Sequence, residues 1–375
     1  MSATSTVLIL TAGFGDGHNS AARSLAEALQ QESGGGVEVV VADLFEDAAP
    51  VTGAFYKWLY RQMITYLPFC WKCLFKASQH SNFHWLWWDR LVGVGPALQR
   101  RLHQHRPSLI VLTYPIYPYF LAQQPPDAPP PVPVFMAITD SITIHPIWLQ
   151  GKVDRLYVTD AFSREVVLAG LRDPVPVEIS GFPVAPGFAA APPPICGGRS
   201  TGRNVLYFAT TASSHVRKTL GGLLEHLPPD VRLTVAMGRH EERLQPVVCA
   251  LLEAWPARRV DLVGWTREVP ALLMDHDVVV SKAGGATVHE CFAAGVPVVV
   301  NYVIPGQEEG NAELLERLGC GCLSPHPAET GRLLAALLTD GRLEAMSIAM
   351  RHHRRPDGAL RIARDILQQL PDVRS

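Results

Sequence analysis

The chain has 375 residues, more than one ordinary core holds, and 47% of them are hydrophobic against 18% charged, which excludes a disordered protein. A formal net charge of −2 excludes a nucleic-acid binder held by bulk charge. No run of about 18 consecutive apolar residues occurs, so no spanning helix is expected, and seven cysteines without a repeating framework fit a reduced, cytoplasmic protein. The short polar lead into Val7-Leu8-Ile9-Leu10 has neither a basic n-region nor an apolar h-region, which predicts no secretory signal.

The first predicted strand covers residues 7–11 and the first helix residues 20–30. Between them lies Thr11-Ala12-Gly13-Phe14-Gly15-Asp16-Gly17-His18. Its glycines permit a tight turn whose amides can face an anion at the helix start. The spacing is not the dinucleotide fingerprint, because the x-x-Gly step is missing. His18 would stand at the mouth of a cleft with a nitrogen that titrates near neutral pH. An ordinary strand-to-helix turn with a polar cap would read the same way. A second strand follows at residues 37–42.

Residues 53–90 then hold twelve of the chain's thirty aromatics, including Trp58, Trp71, Trp85, Trp87 and Trp88. From Lys57 to Arg106 there are eight Lys or Arg and one acid, Asp89. Aromatic rings mixed with cations suit a membrane interface carrying anionic lipid. A buried helical subdomain and a protein-partner patch are the competing readings. Cys70-Trp71-Lys72-Cys73 is not read as a redox motif, because no strand leads into it. The gap from Cys73 to His80 and His84 is too short for an ordinary zinc finger, so no metal is expected.

Strands are predicted at 109–113, 134–139 and 155–159, with a helix at 162–170. Residues 185–202 are rich in proline and glycine and read as a linker. Beyond it, strands at 204–209, 232–236, 260–263, 278–280 and 297–301 repeat the alternation with helices. The fold class is therefore α/β, with two Rossmann-like, doubly wound parallel sheets facing across a cleft. The expected divisions are residues 1–186 for an acceptor- and membrane-binding domain, 187–203 for the linker and 204–345 for a nucleotide-sugar-binding domain. Residues 346–375 form a C-terminal helix expected to pack back on the first domain.

The densest cluster follows the fourth strand of the second half. Ser281-Lys282-Ala283-Gly284-Gly285-Ala286-Thr287 opens a helix whose dipole favours a phosphate. Glu290, one turn on, suits the two hydroxyls of a ribose. Pro305-Gly306-Gln307-Glu308-Glu309-Gly310-Asn311 follows the next strand with side chains able to satisfy sugar hydroxyls. Cys320-Gly321-Cys322 reads as a loop leading into a strand.

Three separated motifs resemble one family. They are Gly15-Asp16-Gly17-His18, the run Thr139-Asp140-Ser141-Ile142-Thr143-Ile144-His145-Pro146-Ile147-Trp148, and Gly284-Gly285 through Glu290 to Pro305-Gly306-Gln307-Glu308. Together the chain resembles the monogalactosyldiacylglycerol synthases and processive diacylglycerol glucosyltransferases, and more distantly MurG; the GT-B fold is implied. The resemblance implies an inverting transfer of galactose or glucose from a UDP-sugar to a diacylglycerol-type lipid, peripherally on the inner face of a membrane. No cofactor or tightly bound metal is implied. Carried over by motif, Glu290 holds the ribose, Gly285, Ala286 and Thr287 the diphosphate, and Gln307 and Glu308 the sugar hydroxyls. The backbone of Val263, Gly264 and Trp265 faces the uracil. Gly17, Gly238, Arg239, Lys282 and Gly284 complete the donor set, with Lys282 or Arg239 supporting the leaving group.

His18 and Asp140 are the candidate bases. His145 either joins them or packs with Pro146 and Trp148 at the acceptor entrance, and Trp148 counts with the acceptor-side tryptophans. The chain departs from the family after residue 209, where Thr210-Thr211-Ala212-Ser213-Ser214-His215 replaces a glycine-rich phosphate loop, and again at Ala283 and His289. A soluble or natural-product acceptor, a UDP-sugar epimerase or hydrolase and a non-catalytic binder remain open alternatives.

Overall fold

A computed structural model describes residues 5–48, 50–80, 93–123, 131–190 and 204–370. Internal contacts divide the chain into a first unit of Met1–Pro186, Pro305–Gln307 and Asp357–Ser375 and a second of Gly187–Ile304 and Glu308–Pro356.

The first unit runs β1 (Ser5–Thr11), α1 (Asp16–Glu32), β2 (Val37–Asp43), α2 (Leu44–Ala48), α3 (Pro50–Tyr66), α4 (Pro68–His80), α5 (Val94–His105), β3 (Leu109–Leu112), α6 (Tyr117–Ala122), β4 (Val134–Ala137), β5 (Arg155–Val158), α7 (Ala161–Gly170) and β6 (Val177–Ile179). Its six strands pair in parallel in the order β2-β1-β3-β4-β5-β6. All seven residues of β1 are buried, as a strand covered on both faces requires. Alternation along it sends Val7 and Ile9 to one core cluster and Leu8 and Leu10 to another.

The Val7 side is closed by α1, whose buried Ala21, Ala22, Leu25, Ala28 and Leu29 recur at helical spacing. Each fully buried leucine contributes about 2 kcal/mol.

The second unit runs α8 (Gly187–Ala190), β7 (Asn204–Phe208), α9 (Ser213–His226), β8 (Arg232–Ala236), α10 (Glu241–Leu252), β9 (Val260–Val263), α11 (Val269–Met274), β10 (Val278–Lys282), α12 (Gly285–Ala294), β11 (Val298–Tyr302), α13 (Glu309–Arg317), β12 (Gly321–Leu323), α14 (Thr330–Leu337) and α15 (Arg342–His352). Its parallel sheet has the order β12-β11-β10-β7-β8-β9. Helices α9 and α14 meet backbone to backbone. A Cβ on Gly331 would stand 1.8 Å from the Gly222 carbonyl oxygen. Gly331→Ala is therefore expected to cost about 1–3 kcal/mol, read from a shifted urea midpoint at unchanged slope. An unshifted midpoint would mean the helices slide apart without penalty.

The last helix, α16 (Gly358–Gln369), belongs to the first unit, where it packs on α1. Leu360, Ile362, Ala363 and Ile366 complete the Val7 cluster. Arg364 grips Glu32 through Nε and Nη2 at 2.8 and 2.9 Å, and Arg155 pairs with Asp365 at 3.0 Å. Residue 345 lies inside α15, and the chain passes between units at Pro356–Asp357. Proline there ends one helix before Gly358 opens the next.

Helix α7 starts at Ala161 because Asp160 Oδ1 caps it, accepting from the Ser163 amide at 2.9 Å. Strands β6 and β12 span three residues each, too few to show a period. β12 begins at Gly321, inside the stretch read as a loop. Of the linker, Gly187–Ala190 is the short helix α8, and residues 191–203 lie outside the described residues. No helix among the described residues is long and apolar enough to cross a membrane.

Candidate functional site

Each sheet order reverses once, between β1 and β3 in the first unit and between β7 and β10 in the second. Beyond the carboxyl ends of strands at such a switch point, the loops diverge and leave room for a ligand. His18, after β1, lies at the first switch point, and Lys282 and Gly284, at the end of β10, lie at the second.

In the first unit His18 follows β1 on the opening turn of α1, while Thr113 and Tyr114 follow β3 and Thr139 and Asp140 follow β4. His18 Nδ1 lies 2.8 Å from the Thr113 carbonyl oxygen and 3.0 Å from Thr139 Oγ1. A carbonyl only accepts, so Nδ1 carries the proton and Nε2 the lone pair. The Tyr114 ring meets the imidazole edge-on at 5.0 Å and Trp148 lies at 6.0 Å. Burial pushes the His18 pKa down to about 4, against a smaller opposing effect of the Thr113 bond, so the ring is neutral at pH 7.

Trp148 Nε1–H donates to Asp140 Oδ2 at 2.7 Å. The indole is 2% exposed, which removes it from the membrane-facing set; it fixes a carboxylate instead. The chain returns to Asp140 through Ile142, whose φ of 55° lies in the left-handed region. A β-branched residue is strained there by about 1–3 kcal/mol. Its amide donates to Ser163 Oγ at 3.1 Å, and Ser141 Oγ lies 3.0 Å from Thr159 Oγ1.

His145 takes a different role. Its Nδ1 accepts from the Ile147 amide at 3.2 Å, capping the 3-10 turn Pro146–Leu149. Nε2 then carries the proton and donates to Ser78 Oγ at 3.0 Å. Both nitrogens are thus occupied by protein and the residue is 8% exposed, the arrangement of a packing histidine.

The glycine turn is already partly filled by protein. The Gly13 amide donates to Asp43 Oδ2 at 2.8 Å, and Lys57 Nζ donates to the same oxygen at 2.7 Å and to Glu46 Oε1 at 2.7 Å. Lys57 is 8% exposed, so it is removed from the lipid-facing cations. It pins α3 to the turn. Sequence reasoning missed Asp43, Lys57, Thr113, Tyr114 and Thr139; an acid ending an apolar strand was the one available signal. Gly17 sits on the same first turn of α1.

Of the aromatic segment, Trp58 is 54% exposed and stacks on Phe55, itself 53% exposed. Leu67, Phe69 and Leu74 are exposed too, with Arg61 and Lys76 beside them in sequence. Trp71 turns inward against Tyr60 and Phe75 at 5.1 and 6.2 Å, so it does not join that face. Trp85, Trp87 and Trp88 lie outside the described residues. In the first unit Gln307 Oε1 accepts from the Tyr60 hydroxyl at 2.7 Å.

In the second unit the donor candidates line the carboxyl edge of the sheet. Gly238 and Arg239 follow β8, and Val263, Gly264 and Trp265 end or follow β9. A Cβ on Gly264 would stand 2.1 Å from Glu241 Oε2, so the glycine lets the Glu241 carboxylate lie against the backbone there. The exposed Trp265 ring has Arg239 and Arg267 guanidinium groups over it at 5.8 and 5.6 Å.

Lys282 ends β10, Gly284 is the N-cap of α12, and Gly285, Ala286 and Thr287 form its first turn. No side chain among the described residues caps that turn, which leaves its amides for an anion. Glu290 lies half-buried on the same helix. Glu308 is 5% exposed and bonded to Lys282. After β7, the loop that replaces glycines is braced by Arg243, which donates to the Thr211 carbonyl at 3.0 Å and to Ser213 Oγ at 3.2 Å. Among the described residues no three His, Cys, Asp or Glu side chains gather as a metal site.

Residues 18–184 match the monogalactosyldiacylglycerol (MGDG) synthase family, and residues 195–370 match the glycosyltransferase family 28 C-terminal domain. Among curated proteins, the chain is similar to the processive diacylglycerol beta-glucosyltransferase of Bacillus subtilis, with 26% identity over 91% of this chain and 88% of that one. The enzyme of the same name from Bacillus pumilus is 27% identical over 98% and 96%. In structure, the chain resembles Acinetobacter baumannii MurG with a TM-score of 0.61, at 16% identity over 97% and 100% of the two chains. Anabaena Alr3699/HepE, solved with UDP and glucose, gives 0.55 at 16% identity over 98% and 99%. At those identities the structural likeness establishes the GT-B fold.

Proposed function

We propose that this chain, whose two halves match the MGDG synthase family and the glycosyltransferase family 28 C-terminal domain, is a UDP-sugar-dependent hexosyltransferase that moves galactose or glucose, with inversion, onto the hydroxyl of diacylglycerol at an anionic membrane surface. The observation that carries this reading is the His18 imidazole at the switch point of the first sheet, locked by Thr113 with its basic nitrogen at Nε2. The near full-length likeness to diacylglycerol glucosyltransferases supports the acceptor.

In the reaction His18 Nε2 takes the proton of the acceptor hydroxyl as its oxygen attacks the anomeric carbon. The bond from that carbon to the β-phosphate oxygen breaks, and its electron pair leaves with UDP. Asp140, held by Trp148, follows β4 in the same unit and is the second candidate base. In the second unit the first-turn amides of α12 and the Lys282 ammonium receive the diphosphate charge. Glu290 holds the ribose, Trp265 and the strand ends beside it hold the uracil, and Gln307 meets the hexose.

The exposed Phe55, Trp58, Leu67, Phe69 and Leu74 with nearby cations form the lipid-facing surface.

The test supplies UDP-glucose or UDP-galactose with diacylglycerol in anionic vesicles and measures UDP release and glycolipid mass. Lipid-dependent release with one donor, lost in Glu290→Ala, is expected. Trp58→Ser with Phe69→Ser should weaken vesicle binding about tenfold and leave UDP affinity unchanged. UDP binding without any glycolipid product would refute the diacylglycerol acceptor.

A further inference from the structure

Glu308 does not sit as a reader of sugar hydroxyls would. Its Oε1 accepts from Lys282 Nζ, and its Oε2 accepts from the Ile304 amide at 3.1 Å. The residue is 5% exposed, whereas the Lys282 side chain is 27% exposed. Both carboxylate oxygens therefore face protein donors, and the group open to a ligand is the ammonium.

The place of that ammonium matters. A Cβ on Gly284 would stand 2.9 Å from Lys282 Nζ and 3.5 Å from Glu308 Oε1, so the ion pair lies against the N-cap of α12. The amide end of a helix carries partial positive charge and repels a cation. A lysine there on its own would swing its flexible stem toward water. A buried carboxylate, anchored by a backbone amide, keeps the ammonium where the helix disfavours it. Holding a cation beside uncapped amides serves a group more negative than either partner, which a diphosphate is.

We propose that Glu308 is a positioning residue that pins the Lys282 ammonium beside the α12 amides to neutralise the departing diphosphate. This rests on the UDP-sugar reading above and reassigns Glu308 within it. As the anomeric carbon–oxygen bond breaks, the electron pair settles on the β-phosphate oxygen. Lys282 screens that charge and keeps its own proton. The acceptor proton goes to His18.

UDP alone separates the two roles of Glu308, because it has a diphosphate and no hexose. Calorimetric titration of UDP and of UDP-hexose into the full-length protein, Glu308→Gln, Lys282→Met, Lys282→Arg and the Gln–Met double variant is the experiment. Each of Glu308→Gln and Lys282→Met should weaken UDP binding about tenfold, the double variant should be no weaker than the singles, and Lys282→Arg should recover most of the loss. Unchanged UDP affinity in Glu308→Gln with weakened UDP-hexose binding would overturn the proposal and return Glu308 to the sugar. Losses that multiply in the double variant would overturn it as well. If Glu308→Gln does not fold, Lys282→Met decides: equal losses for UDP and UDP-hexose support the pinned ammonium, and unchanged UDP binding overturns it. Wild-type protein that binds no UDP would defeat the parent reading, an outcome distinct from all of these.

Discussion

His18→Gln is expected to lower the turnover number about 10³-fold while UDP affinity stays within about twofold of wild type. The imidazole is placed for chemistry and not for donor binding: Thr113 and Thr139 fix one nitrogen and leave the other basic. Glutamine retains a donor for the Thr113 carbonyl but has no basic nitrogen. Equal losses in turnover and in UDP affinity would show that the ring holds the donor instead.

The same ring links stability to pH. An unfolded histidine takes up its proton near 6.5, whereas folded His18 resists until about 4. Between those values the unfolded chain binds more protons. This contribution is therefore fully present above pH 6.5 and is lost as the pH falls toward 4. His215, also lowered to about 4 chiefly by burial, acts in the same direction. In His18→Gln the fall of unfolding free energy across this window should be shallower by up to about 1.4 kcal/mol per pH unit. Urea titrations at several pH values measure it, and parallel curves would place the ring in water.

Lys57→Met is expected to cost about 3–5 kcal/mol of stability. The Lys57 and Asp43 side chains are each 10% exposed, and their contact is 2.7 Å. Without the ammonium, the Asp43 carboxylate stays buried with backbone amides for partners, those of Gly13, Phe45 and Glu46 at 2.8, 3.0 and 3.4 Å. Those amides are dipoles and do not replace a charge. Adding Asp43→Asn to Lys57→Met removes the stranded charge, so the double variant should be more stable than Lys57→Met alone. The comparison is made by urea unfolding. A double variant less stable than the single would locate the cost in lost packing of the lysine stem.

The parallel sheets were legible because their strands are continuous apolar runs, such as Val278-Val279-Val280 and Val298-Val299-Val300, separated by helix-length segments. The glycine turns that open α1 and α12 were legible because each stands between an apolar run and a helix-length segment. What stayed hidden were partnerships across the chain. Nothing near His18 in sequence points to Thr113, which lies 95 residues away and acts through its backbone carbonyl. Lys57 read as a surface cation because it opens a run of cations among aromatics, but a one-residue step around a helix reverses burial: Trp58 is exposed and Lys57 is not. Glu308 read as a sugar ligand from its motif, which gave no sign of its pairing with Lys282, 26 residues upstream at the end of β10.

The placement of α16 also has a consequence in time. The first sheet needs residues 358–369 to cover Val7, Ile9, Val111 and Phe135, yet these are made after the whole second unit. At about 5–20 residues per second, a ribosome that has finished residue 186 needs roughly 10–40 s more to reach residue 369. Throughout that interval the nascent first unit has α1 alone over that face and leaves the share of α16 uncovered, so its yield in a cell depends on what shields that share while translation continues.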